Sequence, residues 1–210
     1  MGLHVKSILN KPVSSNCHIL FQNLNPNCII IDPGTEDCVD LFDFIEKRNL
    51  IPEYIFLTHE HFDHIWGVNK LKETYNCKLV CSGDCSEKII AKKKNMSVFY
   101  NQIGFETYTA DILIENIDYQ LDWNGKTVEF ISTKGHTDSG ICILVDDILF
   151  TGDTIIKNQK TVIKLPGGSK LKLIESLTVL NKKFAGKQIR VYSGHGESFW
   201  FNKQHLKEVI

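Results

Sequence analysis

The sequence predicts a single α/β domain, and three observations lead there. Apolar runs of strand length alternate from end to end with stretches whose apolar residues recur at helical spacing, and no low-complexity segment divides them. At 210 residues the chain also suits one sizeable core.

The elements follow in order. HVKSIL, NCHILFQN and CIIIDPG read as three short strands, with turn chemistry at Asn25-Pro26-Asn27 and a stop at Pro33-Gly34, so antiparallel neighbours are expected. In VDLFDFIEKRNL, Leu41, Ile45 and Leu50, with Phe42 and Phe44 beside them, give a helix its apolar face before the strand EYIFLT. Ile65, Val68, Leu71 and Tyr75 then recur at helical spacing, and KLVCS is another buried strand. From Ala91 to Asp118 the period is lost among aromatic and polar residues, and a cap or substrate-facing insertion is expected. Asp122-Trp123-Asn124-Gly125 is a hairpin signal leading into KTVEFIST, and ICILV and ILFTG form a second hairpin about Asp146-Asp147. SKLKLIESLTVLNKKF reads as a helix, QIRVYSG as a strand and NKQHLKEVI as a short terminal helix. The order strands, helix, strand, helix occurs twice without a literal repeat.

Composition narrows the function. Hydrophobic residues make up 42% and charged residues 23%, too apolar for a disordered tail and too charged for a membrane bundle. Lys and Arg number 24 against 25 Asp and Glu, so there is no strong field to recruit nucleic acid or anionic lipid, and neither is an expected partner. The opening MGLHVKSILNKPVSSNCHIL lacks a long apolar core, and no stretch approaches the ~18 apolar residues of a bilayer span, so a cytoplasmic protein is expected. The seven cysteines are then read as reduced thiols. Cys77, Cys81 and Cys85 lack the C-x-x-C pairing of structural zinc and are assigned to core packing. Lys92-Lys93-Lys94 is either a solvated helix end or a contact for an acidic substrate tail. Phe99, Tyr100, Phe105 and Tyr108 either line an apolar pocket or pack the insertion.

The chemistry begins where EYIFLT ends, at His59-Glu60-His61-Phe62-Asp63-His64. His59 and His61 are separated by two residues, so in an extended strand end both side chains point to one side and can share an ion. Asp63 and His64 lie past that extended part, where a turn into the next helix aims them at a second position. Three further segments place a ligand type after a strand: Gly135-His136-Thr137, Gly152-Asp153-Thr154 and Ser193-Gly194-His195-Gly196. Imidazole and carboxylate are the ligands expected for zinc, and iron and manganese accept them too. His4, His18 and His205 are read as ordinary surface or hydrogen-bonded histidines.

The T-H-x-H-x-D-H run followed in order by G-H-T, T-G-D-T and S-G-H-G resembles the metallo-β-lactamase superfamily, and the likeness covers nearly the whole chain. NCHILFQN and IIIDPG also look like that family's first strands and the turn after them. The resemblance implies an αββα sandwich of two mixed β-sheets flanked by helices, with two divalent ions at one edge of the paired sheets. By carry-over, His59, His61 and His136 hold the first ion, Asp63, His64 and His195 the second, and Asp153 bridges them. It also implies that a water shared by the two ions is lowered in pKa and attacks a carbonyl, with Asp63 accepting its hydrogen bond as well as ligating.

Histidine-rich first sites with a bridging Asp resemble the glyoxalase II branch, whose substrates are thioesters, so a small acyl-thiol or ester is the expected substrate. Leu165-Pro166-Gly167-Gly168-Ser169 resembles a loop of small bacterial members of that branch, and Ser169 also reads as a helix N-cap. Two departures stand out. Val162-Ile163-Lys164 replaces the usual Arg-Thr-Asp, and about fifteen residues follow His195, too few for the thiol-binding helical domain of full-length glyoxalase II. Competing readings are lactone or β-lactam ring opening, a mononuclear iron persulfide dioxygenase, a nuclease and a metal-binding module without turnover. The sequence assigns no substrate-binding residue and no oligomeric state.

Overall fold

The computed structural model describes residues 2–115 and 119–209. They fall into two compact units, Met1–Cys81 with Cys85–Leu113, and Ser82–Asp84 with Ile114–Ile210.

The first unit is built on a six-stranded mixed sheet. Its elements are β1 (Leu3–Leu9), β2 (Asn16–Gln22), β3 (Asn25–Ile31), α1 (Val39–Arg48), β4 (Ile51–Phe56), α2 (Phe62–Ile65), α3 (Val68–Tyr75), β5 (Lys78–Ser82), α4 (Gly83–Ile89), α5 (Ser97–Asn101) and β6 (Ile112–Ile114), of which Ser82, Gly83, Asp84 and Ile114 are counted with the second unit. The strands lie in the order β1-β2-β3-β4-β5-β6. As expected, β1, β2 and β3 are antiparallel neighbours; β3, β4 and β5 then run parallel. Cys28 and Ile30 of β3 join Leu41 and Ile45 of α1 and Val68 and Leu71 of α3 in one buried cluster. Burying each such side chain favours folding by about 1.5–3 kcal/mol, which is what fixes the amphipathic helices on the sheet.

One expectation fails here. The hairpin between β2 and β3 turns at Asn23-Leu24, not at Asn25-Pro26-Asn27. A register shift opposite Phe21 and Gln22 takes up the extra residues of β3, so Pro26, which has no N–H to give, sits inside the strand without costing a ladder bond. The sequence reading places no element at α4, where Cys85, Ser86 and Ile89 are buried. In the stretch from Ala91 onward α5 and β6 also appear, while its last residues, 116–118, lie outside the described residues.

The second unit carries β7 (Gln120–Trp123), β8 (Lys126–Ser132), β9 (Ile141–Val145), β10 (Ile148–Gly152), α6 (Lys170–Phe184), β11 (Arg190–Ser193), β12 (Phe199–Trp200) and α7 (Lys203–Glu208). Its sheet runs β12-β11-β10-β9-β8-β7, with β10 and β11 parallel and the other paired neighbours antiparallel. Both predicted hairpins form: Asn124 and Gly125 take positive φ between β7 and β8, and Asp146 does so between β9 and β10. Leu173, Leu177, Leu180 and Phe184 make the buried stripe of α6, and Ser169 caps it by accepting from the Lys172 N–H at 3.3 Å. The two-residue β12 went unseen in the sequence, and the last residue of the predicted terminal helix, 210, lies outside the described residues.

Strand direction is what positions the chemistry. In the first unit, parallel pairing turns the carboxyl ends of β3 and β4 to one edge, delivering Asp32 and the segment from Thr58 to His64 together. In the second, β8 and β10 flank the antiparallel β9 and so point the same way as β11, which brings the loops holding His136, Asp153 and His195 to one edge.

Candidate metal centre

In the first unit β4 ends at Phe56, so His59 and His61 stand beyond the strand and not in its end as the sequence suggested: His59 lies in a bend, and His61 is extended just before α2. The rings nevertheless meet: centroids lie 4.8 Å apart for His59 and His61 and 4.2 Å apart for His59 and His64. Asp63 and His64 sit in the single turn of α2, as the predicted change of direction requires.

Asp32, one residue beyond β3, organises this half. It is 1% exposed with φ 53°, a left-handed conformation that Asp tolerates better than most residues. Its Oδ1 accepts from the Thr58 N–H at 2.8 Å, and its Oδ2 accepts from the Thr58 hydroxyl at 2.6 Å and from His64 Nδ1 at 3.1 Å. Because that hydroxyl donates to Asp32, its oxygen accepts from His59 Nδ1, 3.0 Å away. Both rings are therefore held as the tautomer with hydrogen on Nδ1, which makes Nε2 the lone-pair nitrogen that can face a cation. Asp32, His59 and His64 offer ligand atoms within 4.8 Å of one another. The backbone of the loop is pinned as well. The Asp63 carbonyl accepts from Ser15 Oγ at 2.5 Å, and Gly34 packs so tightly that a Cβ there would lie 1.6 Å from the same oxygen. Between the histidines, Glu60 is 1% exposed and pairs with Lys88 of α4 at 3.1 Å.

The second unit repeats the device with other acceptors. His136 Nδ1 donates to the Val162 carbonyl at 2.7 Å, again leaving Nε2 as the metal-facing nitrogen. Its loop is tied to the start of α6 by the Ser169 N–H donating to the Gly135 carbonyl at 2.8 Å. A Cβ on Gly135 would strike Leu173 at 2.5 Å, so this close approach requires glycine. Thus the Leu165–Ser169 loop serves as the helix start and N-cap. Asp153 follows β10, His195 follows β11, and the Gly194 N–H bonds the Gly152 carbonyl at 2.8 Å, keeping the two loops side by side.

Three distances reveal the purpose. His136 Nε2 and His195 Nε2 each lie 3.5 Å from Asp153 Oδ2, and in the first unit His64 Nε2 lies 3.5 Å from Asp63 Oδ2. These exceed the 2.7–3.2 Å typical of an N–H···O bond. Two ligand atoms each ~2.0–2.2 Å from one tetrahedral ion stand about 3.3–3.6 Å apart, so the donors fit divalent cations.

The remaining expectations resolve simply. Cys77, Cys81 and Cys85 are buried members of the first core. Burial pushes the Cys28, Cys38 and Cys142 thiols up to about 12 and Cys77 up to about 11, so they remain protonated and inert at neutral pH. His18 meets Ser7 at 2.8 Å, His4 stacks on Phe21, and His205 meets Phe199 edge to face. Lys92–Lys94 form an exposed turn. Tyr100 stacks on Phe62 of α2 at 5.0 Å and Phe105 on Trp66 at 5.0 Å, and Phe99, Tyr100 and Tyr108 are all exposed. Among the described residues, no helix is long and apolar enough to cross a membrane. Sequence reasoning assigned no role to Asp32, Thr58, Lys88 or the Val162 carbonyl, although Asp32 stands in IIIDPG and Thr58 opens the T-H-x-H-x-D-H run.

The sequence profile described as metallo-beta-lactamase superfamily matches residues 11–186. The chain belongs to that superfamily. Hydroxyacylglutathione hydrolase 1 of Vibrio vulnificus is 33% identical over 152 residues, which cover 72% of this chain and 50% of that protein. An uncharacterized protein of Mycobacterium leprae is 27% identical over 87% of both chains. The crystal structure of BLEG-1, a B3 metallo-beta-lactamase, superposes with a TM-score of 0.86 at 26% identity and covers 94% of each chain. Two mixed sheets flanked by helices are thus the metallo-β-lactamase fold, as expected, and this superfamily member is a metal-dependent hydrolase by family.

Proposed function

We propose that the chain is a dinuclear hydrolase of cytoplasmic acyl-thiols, cleaving a thioester or related ester in a single domain over residues 1–210. In this reading His59, His61 and His136 would hold one divalent ion and Asp63, His64 and His195 a second, Asp153 would be a ligand to both, and zinc would be the expected metal. The observation that carries it is the common 3.5 Å spacing of imidazole nitrogens and carboxylate oxygens in both units, with the His64 and His136 tautomers already set by their Nδ1 partners. The Vibrio relative, named for hydrolysis of a hydroxyacylglutathione, favours a thioester over other carbonyls.

Divalent ions, when bound, supply Lewis acidity that lowers the pKa of water and polarises a carbonyl. The chain's own residues do the rest. With ions bound, Asp63 would ligate and would accept a hydrogen bond from water activated there, while Asp32, Thr58 and the Val162 carbonyl hold the histidine rings in the ligating tautomer. A departing thiolate, whose thiol has a pKa near ~8.5, needs no dedicated acid.

The test is a metal count on the purified protein joined to a panel of acyl-thiol, lactone and β-lactam substrates. Two ions per chain with thiol release support the reading, and His61→Ala or Asp63→Ala should abolish turnover while the circular dichroism spectrum persists. One iron per chain with oxygen uptake would replace it with a persulfide dioxygenase, and ring opening without thiol release with a lactonase or lactamase.

A further inference from the structure

Between the end of β4 at Phe56 and the start of α2 at Phe62, residues 57–61 run without helix or strand, and His59 and His61 are among them. The direction of this segment is therefore set by side chains and single hydrogen bonds. Its ends are anchored. The Thr58 N–H and hydroxyl both donate to Asp32, and the His61 carbonyl accepts from the His64 N–H at 2.9 Å. Between these anchors stands Glu60. Its two peptide bonds join it to His59 and to His61, so any turn of its backbone moves both rings, whose centroids lie 4.8 Å apart.

Glu60 is 1% exposed, and a carboxylate that deep is tolerated only where a partner offsets its charge. Lys88 of α4 offers that partner, with Nζ 3.1 Å from Glu60 Oε1 and a side chain 17% exposed. The base of the lysine is itself fixed, because Cys85 and Ile89 hold α4 in the first core, both fully buried. Stability by itself does not call for charges at this place, since two apolar side chains of similar volume serve folding as well or better. What charge adds is direction. The carboxylate is low in energy only where it meets the ammonium, and that one point fixes the peptides on either side of it.

We infer that Lys88 is a positioning residue for the metal centre, acting through Glu60 to set where His59 and His61 stand. The inference rests on the reading of those two histidines as ligands. No proposed ligand lies on α4, so the share of this helix in the centre is exerted at one remove.

Three variants of the full chain separate this role from folding: Lys88→Met, Lys88→Arg, and the neutral pair Glu60→Gln with Lys88→Met. Each is followed by urea unfolding, by zinc affinity in competition with a chromophoric chelator, and by the imidazole magnetic resonance signals of the metal-free protein. Lys88→Met should lower zinc affinity at least about tenfold, the lower end of what an orienting partner is worth, and should shift the His59 and His61 signals. Lys88→Arg keeps a cation on the same stem and should recover most of the affinity. The neutral pair no longer buries a charge without its partner, so its stability should return towards the wild type while zinc affinity and both signals stay altered. A neutral pair that regains stability and affinity together would overturn the inference, as would Lys88→Met with wild-type affinity and unshifted signals. Should Lys88→Met not fold, the neutral pair decides by the same criterion. A wild-type chain that takes up no zinc would overturn the ligand reading instead, and the metal-free signals would still show whether Lys88 sets the two rings.

Discussion

Replacing Asp32 with Asn changes one oxygen for an NH2 and, by the geometry of the first unit, should reverse two histidines. The carboxylate accepts three hydrogen bonds, from the Thr58 N–H, the Thr58 hydroxyl and His64 Nδ1. An asparagine oxygen can keep the first, and Asn tolerates the φ of 53°. Its NH2, however, then faces the Thr58 oxygen and His64 Nδ1, both of which are donors to Asp32 in the wild type. To avoid donor against donor, His64 must carry its hydrogen on Nε2. The Thr58 hydroxyl must turn towards His59 Nδ1, 3.0 Å away, and move that ring's hydrogen to Nε2 too. Nε2 is the nitrogen that has to face a cation. Losing such an orienting partner typically costs 10–100-fold in metal affinity, or about 1.4–2.8 kcal/mol at 1.4 kcal/mol per factor of ten. Exchange of charge-assisted for neutral hydrogen bonds should cost about 1–3 kcal/mol of folding stability in addition. Zinc affinity measured by competition with a chromophoric chelator, together with nitrogen chemical shifts of the imidazoles, reads both consequences. An Asp32→Asn protein with wild-type zinc affinity and Nδ1–H rings would refute the reasoning.

Two other substitutions probe the scaffold around that network. Gly34→Ala places a methyl group 1.6 Å from the Asp63 carbonyl oxygen and 2.7 Å from Asn10 Nδ2, so the loop must move. Urea unfolding should show a loss of at least about 1–3 kcal/mol with a fall in zinc affinity, and a fully stable, metal-competent variant would contradict the packing. Asp111 tests pH dependence. Burial raises its pKa, but hydrogen bonds from Lys72 and the Leu79 N–H, with the charges of Lys72 and Lys78, outweigh this and hold it below the ordinary carboxylate value. A folded pKa below the unfolded one stabilises the protein above ~3.9 and loses that contribution as pH falls through the folded value. With the side chain 42% exposed, the gap between wild type and Asp111→Asn should be about 1 kcal/mol or less near neutrality and should close in acid. A gap that widens on acidification would show the opposite shift.

Most of the architecture was legible because period is a local signal. The stripe Leu173, Leu177, Leu180, Phe184 and the Asn124-Gly125 turn each declare themselves within a dozen residues. Ligand types were legible for a related reason: His, Asp and glycine cluster after apolar runs that can only be strands. What escaped was set by partners far along the chain. α4 forms because Cys85 and Ile89 find a core made by residues from β2 to α3, and the turn at Asn23-Leu24 depends on a bulge that pairing alone defines. Thr58 and the Val162 carbonyl escaped for the strongest reason, since a hydroxyl and a backbone oxygen carry no mark in a sequence that says which imidazole they hold.

That last point bears on how the two half-sites are made. Three imidazoles are fixed in one tautomer by chemically different acceptors: a carboxylate for His64, a hydroxyl for His59 and a peptide carbonyl for His136. Only the common outcome, Nε2 turned towards neighbouring ligand atoms, is shared. A requirement for folding alone would be met by any pairing that satisfied a buried ring, with either nitrogen as donor. Uniform tautomers reached through three different acceptors, with the His64 and His136 N···O spacings too long for a strong hydrogen bond, are instead what a cation demands of its ligands. Because each acceptor belongs to the same unit as the ring it holds, the ligands can be oriented by the cores of their own units before any ion arrives. Loss of one acceptor should therefore disorder one half-site and leave the tautomers of the other as they are.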